Sequence, residues 1–321
     1  TGVWTASGAI ADVNALLAGV IFTPAANYNS TFTIATSVSD GVTAVTGVKT
    51  ITGIAVDDPP TASNLSAAET YTEDTALNLI DIVASDVDSA NITVTLTLSD
   101  TAAGSLNTGT SGAVTSTFAA GVWSASGAIA DVNALLAGVT FTPTLNFNST
   151  FTIATSVSDG VAPAITGIKA MTGTPVNDAP TALNLSAAET YTEDTALNLI
   201  DIVASDVDGG SITATLTLSN VAAGSLTTAT SGAVTSTFAG GVWTASGAIA
   251  DVNALLAGVT FTPTLNFNSN FTIATSVSDG VAAAITGSKN MTGTPVNDAP
   301  TALNLSAPET YTEDTALNLI D

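Results

Sequence analysis

The 321-residue sequence contains no cysteine, no histidine and no arginine, and its only basic residues are three lysines. The absence of cysteine excludes a disulfide framework and cysteine-ligated zinc, although a domain of adequate size can be secreted without such staples. With no histidine, and lysine confined to Lys49, Lys169 and Lys289, no base is available to activate a serine, so a hydrolytic triad cannot be assembled. Three cations stand against 27 Asp and Glu, a formal charge of −24. That excludes nucleic acid as a natural partner, because nothing can neutralise its phosphates, and it disfavours an anionic membrane surface. No apolar run reaches the length of a membrane span, and residue 1 does not open a signal peptide. Aromatic residues make up only 5%, whereas sugar-binding sandwiches usually present exposed aromatic platforms.

What is present is β-rich: Thr, Ser, Ala, Val and Gly dominate. Hydrophobic residues reach 45%, so the acidity does not signal disorder. The sequence also repeats itself. Trp4, Trp123 and Trp243 each follow Gly-Val and precede the same Ala-Ser-Gly-Ala-Ile-Ala-Asp-Val-Asn-Ala-Leu-Leu-Ala-Gly run, one residue removed. Lys169 and Lys289 lie 120 residues apart, as do Lys49 and Lys169, and residues 181–201 and 301–321 differ only at Ala188 versus Pro308. A period of that length is one whole domain, not a solenoid turn. Cutting at the Asp-Pro and Asp-Ala-Pro segments gives complete units at 58–177 and 178–297, with 1–57 the back of one unit and 298–321 the front of another. A chain that begins and ends inside units is expected to be a segment of a longer array.

Within 58–177, Asn91–Leu98 alternates strictly and sends Ile92, Val94, Leu96 and Leu98 to one face. Phe151–Val157 does nearly the same and closes on the turn residues Ser158-Asp159-Gly160. Shorter strands are expected at Leu77–Val83, Ala113–Phe118, Val122–Ala125, Val139–Phe141 and Ala164–Met171. Short strands with turns every 8–12 residues describe a sandwich. One stretch breaks the pattern: Ile129, Val132, Leu135 and Leu136 share a helical face, with Ser126 as a cap and Gly138 as a stop. The expectation is an all-β chain of tandem Greek-key sandwiches, each with one short helix, at 128–137 and 248–257. Trp123 and Trp243, in an alternating apolar strand beside that helix, are read as core.

Val176-Asn177-Asp178-Ala179-Pro180, then Glu193-Asp194-Thr195, then Ala204-Ser205-Asp206-Val207-Asp208, resembles the N-terminal half of a cadherin repeat in motif, order and spacing. Ala274–Gly280 resembles that family's penultimate strand, and Val296-Asn297-Asp298-Ala299-Pro300 its exit linker. The middle, with Phe261-Thr262-Pro263 and Asn266-Phe267-Asn268 leading to Ser278-Asp279-Gly280, is similar to the bacterial cadherin-like, immunoglobulin-like repeats of giant surface adhesins of the repeats-in-toxin class. The resemblance implies calcium at domain junctions. At 177–178 it nominates Glu73 and Asp74 from the preceding domain, Asn177 and Asp178 from the linker, and Asp206, Asp208 and Asp279 from the following domain. At 57–58 it nominates Asp57, Asp58, Asp86, Asp88 and Asp159. At 297–298 it nominates Glu193, Asp194, Asn297 and Asp298. The acidic mid-domain motif of animal cadherins has no counterpart here, so fewer or weaker ions per junction are expected.

Donor chemistry agrees with this independently of the family. Ca²⁺ takes six to eight oxygen ligands, and carboxylates, Asn amides and carbonyls are what these segments offer. Asp-x-Asp on an extended segment puts both side chains on one face, and softer metals lack their preferred ligands. The bland alternative is that Asp206 and Asp208 form Asx-turns, Asp279-Gly280 is a hairpin turn and Asn177–Pro180 is only a linker. A glycosidase pair of carboxylates is disfavoured, since the acids cluster at domain ends and a sandwich repeated almost verbatim would multiply one active site. Asn148-Ser149-Thr150 and Asn184-Leu185-Ser186 fit a glycosylation sequon, a pattern common by chance. The implied role is a non-enzymatic, extracellular, bacterial cell-surface stalk whose partners are neighbouring repeats. The alternative is a filament subunit that associates laterally with other copies, which would require an interface of roughly 1,000 Å² or more.

Overall fold

The computed structural model describes residues 2–319, which form two compact units divided between Pro175 and Val176. In the first unit the strictly alternating segment Asn91–Leu98 is a central strand whose Ile92, Val94, Leu96 and Leu98 are all buried. It sits in a six-stranded sheet ordered Thr117–Ala119, Val122–Ala128, Asn91–Leu98, Phe151–Ser158, Ile165–Thr174, Glu69–Thr72. Neighbours in this sheet are antiparallel, except that Glu69–Thr72 runs parallel to the end of Ile165–Thr174. Between Asn91–Leu98 and Phe151–Ser158 the chain passes through the smaller sheet, Leu77–Asn78, Thr140–Pro143 and Gly104–Leu106, which makes the connection a Greek key.

Inward-facing residues of the two sheets fill the space between them. Trp123 pairs across strands with Leu96 and Phe118 and is fully buried. Phe141 and Phe151 pack around Tyr71 with ring centroids 5.2 and 5.9 Å away. Edge-on ring contacts of this kind add to area burial.

The helix is Ile129–Leu136, inside the expected 128–137, and it buries Val132 and Leu136. Its start differs from expectation. The N-cap is Ala128, with no side-chain cap, and Ser126 lies in the preceding strand with its hydroxyl paired to Thr93 Oγ1 at 2.8 Å. The strand runs directly into the helix, and the Ile129 amide is satisfied by the Ala90 carbonyl. Asn133 gives the helix a further use. Its amide donates to the Ala84 carbonyl at 2.8 Å, and its side-chain oxygen accepts the Ala84 amide at 3.0 Å. One side chain thus replaces a strand neighbour for the edge segment Val83–Ser85.

The strand Glu69–Thr72 was not expected from periodicity. Its Tyr71 hydroxyl donates to the Ser149 carbonyl at 2.5 Å, and burial, with Glu73 and Asp100 nearby, holds that hydroxyl's pKa above its ordinary value. The partner strand approaches closely at Gly173, where an added Cβ would lie 2.2 Å from the Asn148 carbonyl oxygen. Gly173→Ala is expected to destabilise the first unit by about 1–3 kcal/mol in urea unfolding. Gly138→Ala, whose Cβ would meet nothing closer than 3.7 Å, should change stability by less than about 0.5 kcal/mol.

The second unit repeats this architecture around Ser211–Leu218, with the helix Ile249–Leu256 and a fully buried Trp243. Residues 2–57 contribute a helix, Ile10–Ala18, and a hairpin of Phe32–Ser39 with Ala44–Ile51, and none of them is buried. Residues 298–319 carry turns without strand or helix.

Candidate cation site

In the first unit, Asp86 and Asp88 follow the strand Val83–Ser85, and Asp159 follows Phe151–Ser158. The Asp88 and Ser89 amides donate to Asp86 Oδ1 at 2.8 and 2.7 Å. The Val161 and Ala162 amides donate to Asp159 Oδ1 at 2.9 and 3.0 Å. The linker joins them, since the Asp58 amide donates to Asp88 Oδ2 at 2.8 Å. The bonds to Asp86 and Asp159 are Asx-turn bonds, and they use Oδ1 of each carboxylate. The other oxygens of Asp86 and Asp159, both Oδ2, are buried atoms with no hydrogen-bond partner. An orphaned anionic oxygen is costly unless something positive meets it.

Asp57 adds to this charge. Its carboxyl pKa is raised by partial desolvation, then by the carboxylates of Asp159, Asp86, Asp88 and Asp58. Asp57 is exposed, so the crowding of like charges is the stronger physical cause. Thus all five residues nominated for the 57–58 junction are brought to one end of the unit.

In the second unit, Asp178, Asp206, Asp208 and Asp279 occupy the same places. The Asp178 amide donates to Asp208 Oδ2 at 2.7 Å, the Asp208 amide to Asp206 Oδ1 at 3.0 Å, and the Val281 and Ala282 amides to Asp279 Oδ1 at 2.9 and 3.0 Å. Here the linker residue is Asn177, whose amide donates to Asp279 Oδ2 at 2.6 Å and to the Asp178 carbonyl at 2.9 Å. The Asn177 bond is the largest of the causes that hold the Asp279 pKa below its ordinary value, followed by the Val281 amide.

The acids nominated at the opposite end divide into two kinds. Glu73 and Glu193 are buried, 1% and 3% exposed. Asn148 donates to Glu73 Oε2 at 3.0 Å, and Asn268 to Glu193 Oε2 at 2.6 Å. Glu193 Oε1 accepts the Val296 amide, so this side chain clamps the segment that leads to Asn297 and Asp298. Asn297 donates to the Asp298 carbonyl at 3.3 Å. Asp74 and Asp194, in left-handed backbone, instead accept the amides of Asn146 and Asn266 at 2.8 Å and hold those turns. Glu73 belongs to the first unit, whereas the aspartates that the resemblance would have it join belong to the second.

Among the described residues no three acids already form a group that could hold a metal ion. What fits a hard cation is the donor set, all oxygen and partly orphaned, without a preformed cage. Both sequon asparagines are engaged in hydrogen bonds within their own unit, Asn148 with Glu73 and Asn184 with the Asp201 carbonyl at 2.8 Å.

The sequence did not point to Glu69 and Glu189. Lys169 Nζ lies 2.9 Å from Glu69 Oε1, and Lys289 Nζ lies 3.0 Å from Glu189 Oε1, all deeply buried. The signal was there in the alternation of Glu69, Tyr71 and Glu73, which places both glutamates on the inward face with Tyr71.

No protein-family model matches the chain, and no curated protein matches it. Solved structures that resemble it include protocadherin gamma B2 cadherin domains 1–5, at 12% identity and TM-score 0.41, covering 84% of this chain and 47% of that one. The human desmocollin-1 ectodomain is similar at 11% identity and TM-score 0.36, covering 84% and 48%. The titin domains Z1Z2 in complex with telethonin match at 9% identity and TM-score 0.28, covering 75% and 100%. The chain thus spans about half the length of the two cadherin-type structures. Its own topology, two Greek-key sandwiches in tandem with parallel first and last strands in the larger sheet, makes it an all-β protein of cadherin-like, immunoglobulin-like architecture. No helix among the described residues is long and apolar enough to cross a membrane.

Proposed function

We propose that the chain is a non-enzymatic stretch of an extracellular stalk, a spacer from a large repetitive bacterial surface adhesin, stiffened by calcium where one domain meets the next. The observation that carries this reading is the pair of orphaned buried oxygens, Asp86 Oδ2 and Asp159 Oδ2, beside the linker acids Asp57 and Asp58. Asp86, Asp88 and Asp159, with Asp57 and Asp58, would hold one ion. Asp206, Asp208, Asp279, Asn177 and Asp178 would hold its counterpart. Asp74 and Asp194 serve as turn formers in this reading, and Glu193 orders the exit linker that carries Asn297 and Asp298. Bound calcium supplies positive charge that cancels carboxylate repulsion. Without it the linker acids repel, and the junction is free to swing. Extracellular calcium modules have dissociation constants on the order of 10⁻⁴–10⁻³ M, so the ion would load outside a cell and not within it.

Solution scattering on the full chain tests this. Wild type in calcium is expected to show a larger maximum dimension than in chelator, and a higher melting temperature. Asp206→Ala/Asp208→Ala should lose most of the calcium-induced extension. Identical scattering and melting of wild type in both conditions would sink the reading and leave these acids as turn formers.

A further inference from the structure

The two domain ends differ at Asp57/Asn177, Pro59/Ala179, Ser89/Gly209, Ala90/Gly210 and Pro163/Ala283, and the first of these changes the charge. Asn177 in the second unit corresponds to Asp57 in the first. In the second unit Asp279 Oδ2 accepts the Asn177 amide at 2.6 Å. In the first unit the corresponding atom, Asp159 Oδ2, is buried with no hydrogen-bond partner, and the residue at the linker position is the acid Asp57, whose carboxylate has no N–H to donate. The Asx-turn bonds of the loop are the same in both, although Pro163 stands where the second repeat has Ala283. Asp159 Oδ1 and Asp279 Oδ1 each accept two amides, at 2.9 and 3.0 Å. The amide-to-carboxylate exchange therefore removes a charge-assisted hydrogen bond and puts a second carboxylate at the linker position.

We propose that this residue sets how far each domain end depends on a divalent cation: Asn177 lets its cluster hold itself together without metal, whereas Asp57 makes the first cluster rely on one. The proposal rests on the calcium reading above and deepens it. A charge-assisted hydrogen bond is among the stronger polar contacts, so its loss is felt even at a partly exposed site. Adding a carboxylate to an oxygen-ligand site also raises its affinity for Ca²⁺, since ligand charge is one of the two variables that tune such sites. The first cluster is thus weaker when empty and gains more when filled. Successive junctions in one array would then stiffen at different calcium concentrations, the Asp-bearing one more steeply.

The test is hydrogen exchange on the full chain, in chelator and in saturating calcium. It is read on the Gly160, Val161 and Ala162 amides against Gly280, Val281 and Ala282. The two loops are separable by mass because Pro163 stands where the second repeat has Ala283. Exchange of these amides reports local opening. In chelator the first loop is expected to exchange about tenfold faster than the second, the equivalent of one charge-assisted hydrogen bond. Calcium should slow the first loop by the larger factor. Asp57→Asn should bring the first loop to the rate of the second in chelator and shrink its calcium response, and Asn177→Asp should do the reverse to the second loop. Both variants change exposed linker residues outside the core, so the sandwiches serve as their own folding control through Trp123 and Trp243. Equal slowing of both loops by calcium, or an unchanged first loop in Asp57→Asn, overturns the proposal and leaves the stalk reading standing. Calcium slowing neither loop in any variant overturns both.

Discussion

Lys169→Met is expected to destabilise the first unit by about 3–5 kcal/mol, because it leaves the Glu69 carboxylate buried without its counter-charge. The Lys169 ammonium donates to Glu69 Oε1 at 2.9 Å and to the Ile80 carbonyl at 3.0 Å, and the same Oε1 accepts the Ile80 amide at 2.8 Å. The two side chains are 1% and 4% exposed, so water cannot replace the lost partner. Lys169→Met/Glu69→Leu removes both charges and should recover most of the loss, since a buried pair often contributes little beyond an apolar replacement. The pair's location explains its retention better than its energy does. Residues 61–63 pair with Val83–Ser85, and only six residues later Glu69–Thr72 joins the other sheet beside Met171–Thr174. A four-residue parallel pairing has no hairpin turn to fix its register, and one ion pair at its start does so. Urea unfolding of the single and double variants checks this, with the unmutated Lys289–Glu189 pair as an internal reference. A loss below about 1 kcal/mol in the single variant would show that the pair is hydrated and not buried as described.

Legibility in the sequence followed the length and regularity of each signal. Asn91–Leu98 was readable because eight residues of strict period two leave one face for the core, and Phe151–Ser158 for the same reason. The helix was readable from Ile129, Val132 and Leu136, but its start was not. Ser126 looks like a cap in one dimension, yet the strand Val122–Ala128 continues through it and turns its hydroxyl to Thr93. Glu69–Thr72 escaped because four residues carry too little period, and its partner Met171–Thr174 is 102 residues away along the chain. Asn133 escaped because a polar residue on an apolar helix gives no hint that it will bond to a strand backbone. For the domain-end acids, turn formation does not use up the side chain. Asp86 and Asp159 use Oδ1 to close their loops and keep Oδ2 unpartnered. A sequence names a residue, whereas this division is between two oxygens of one side chain.

Trp123→Ala is expected to cost the first unit about 3–5 kcal/mol, the usual range for truncating a buried aromatic. Trp123 is fully buried, faces Leu96 and Phe118 across its two neighbouring strands, and donates its indole N–H to the Asn107 carbonyl at 3.0 Å. Truncation therefore opens a cavity and orphans a carbonyl together. Because Trp243 makes the same bond to Thr227 at 2.9 Å in an almost identical core, the chain carries its own control. Wild type should unfold in overlapping steps, since the two sandwiches have nearly the same sequence and packing. In the variant, far-ultraviolet circular dichroism should resolve an early step from the first unit. Trp243 fluorescence should change only in the later one, because Trp4, the other remaining tryptophan, is already 50% exposed. Probes that fail to coincide mark the end of two-state behaviour for the chain as a whole. They would show each sandwich unfolding on its own core. A single coincident transition shifted for both probes would mean that the units stand or fall together, and that the second sandwich depends on the packing around Trp123.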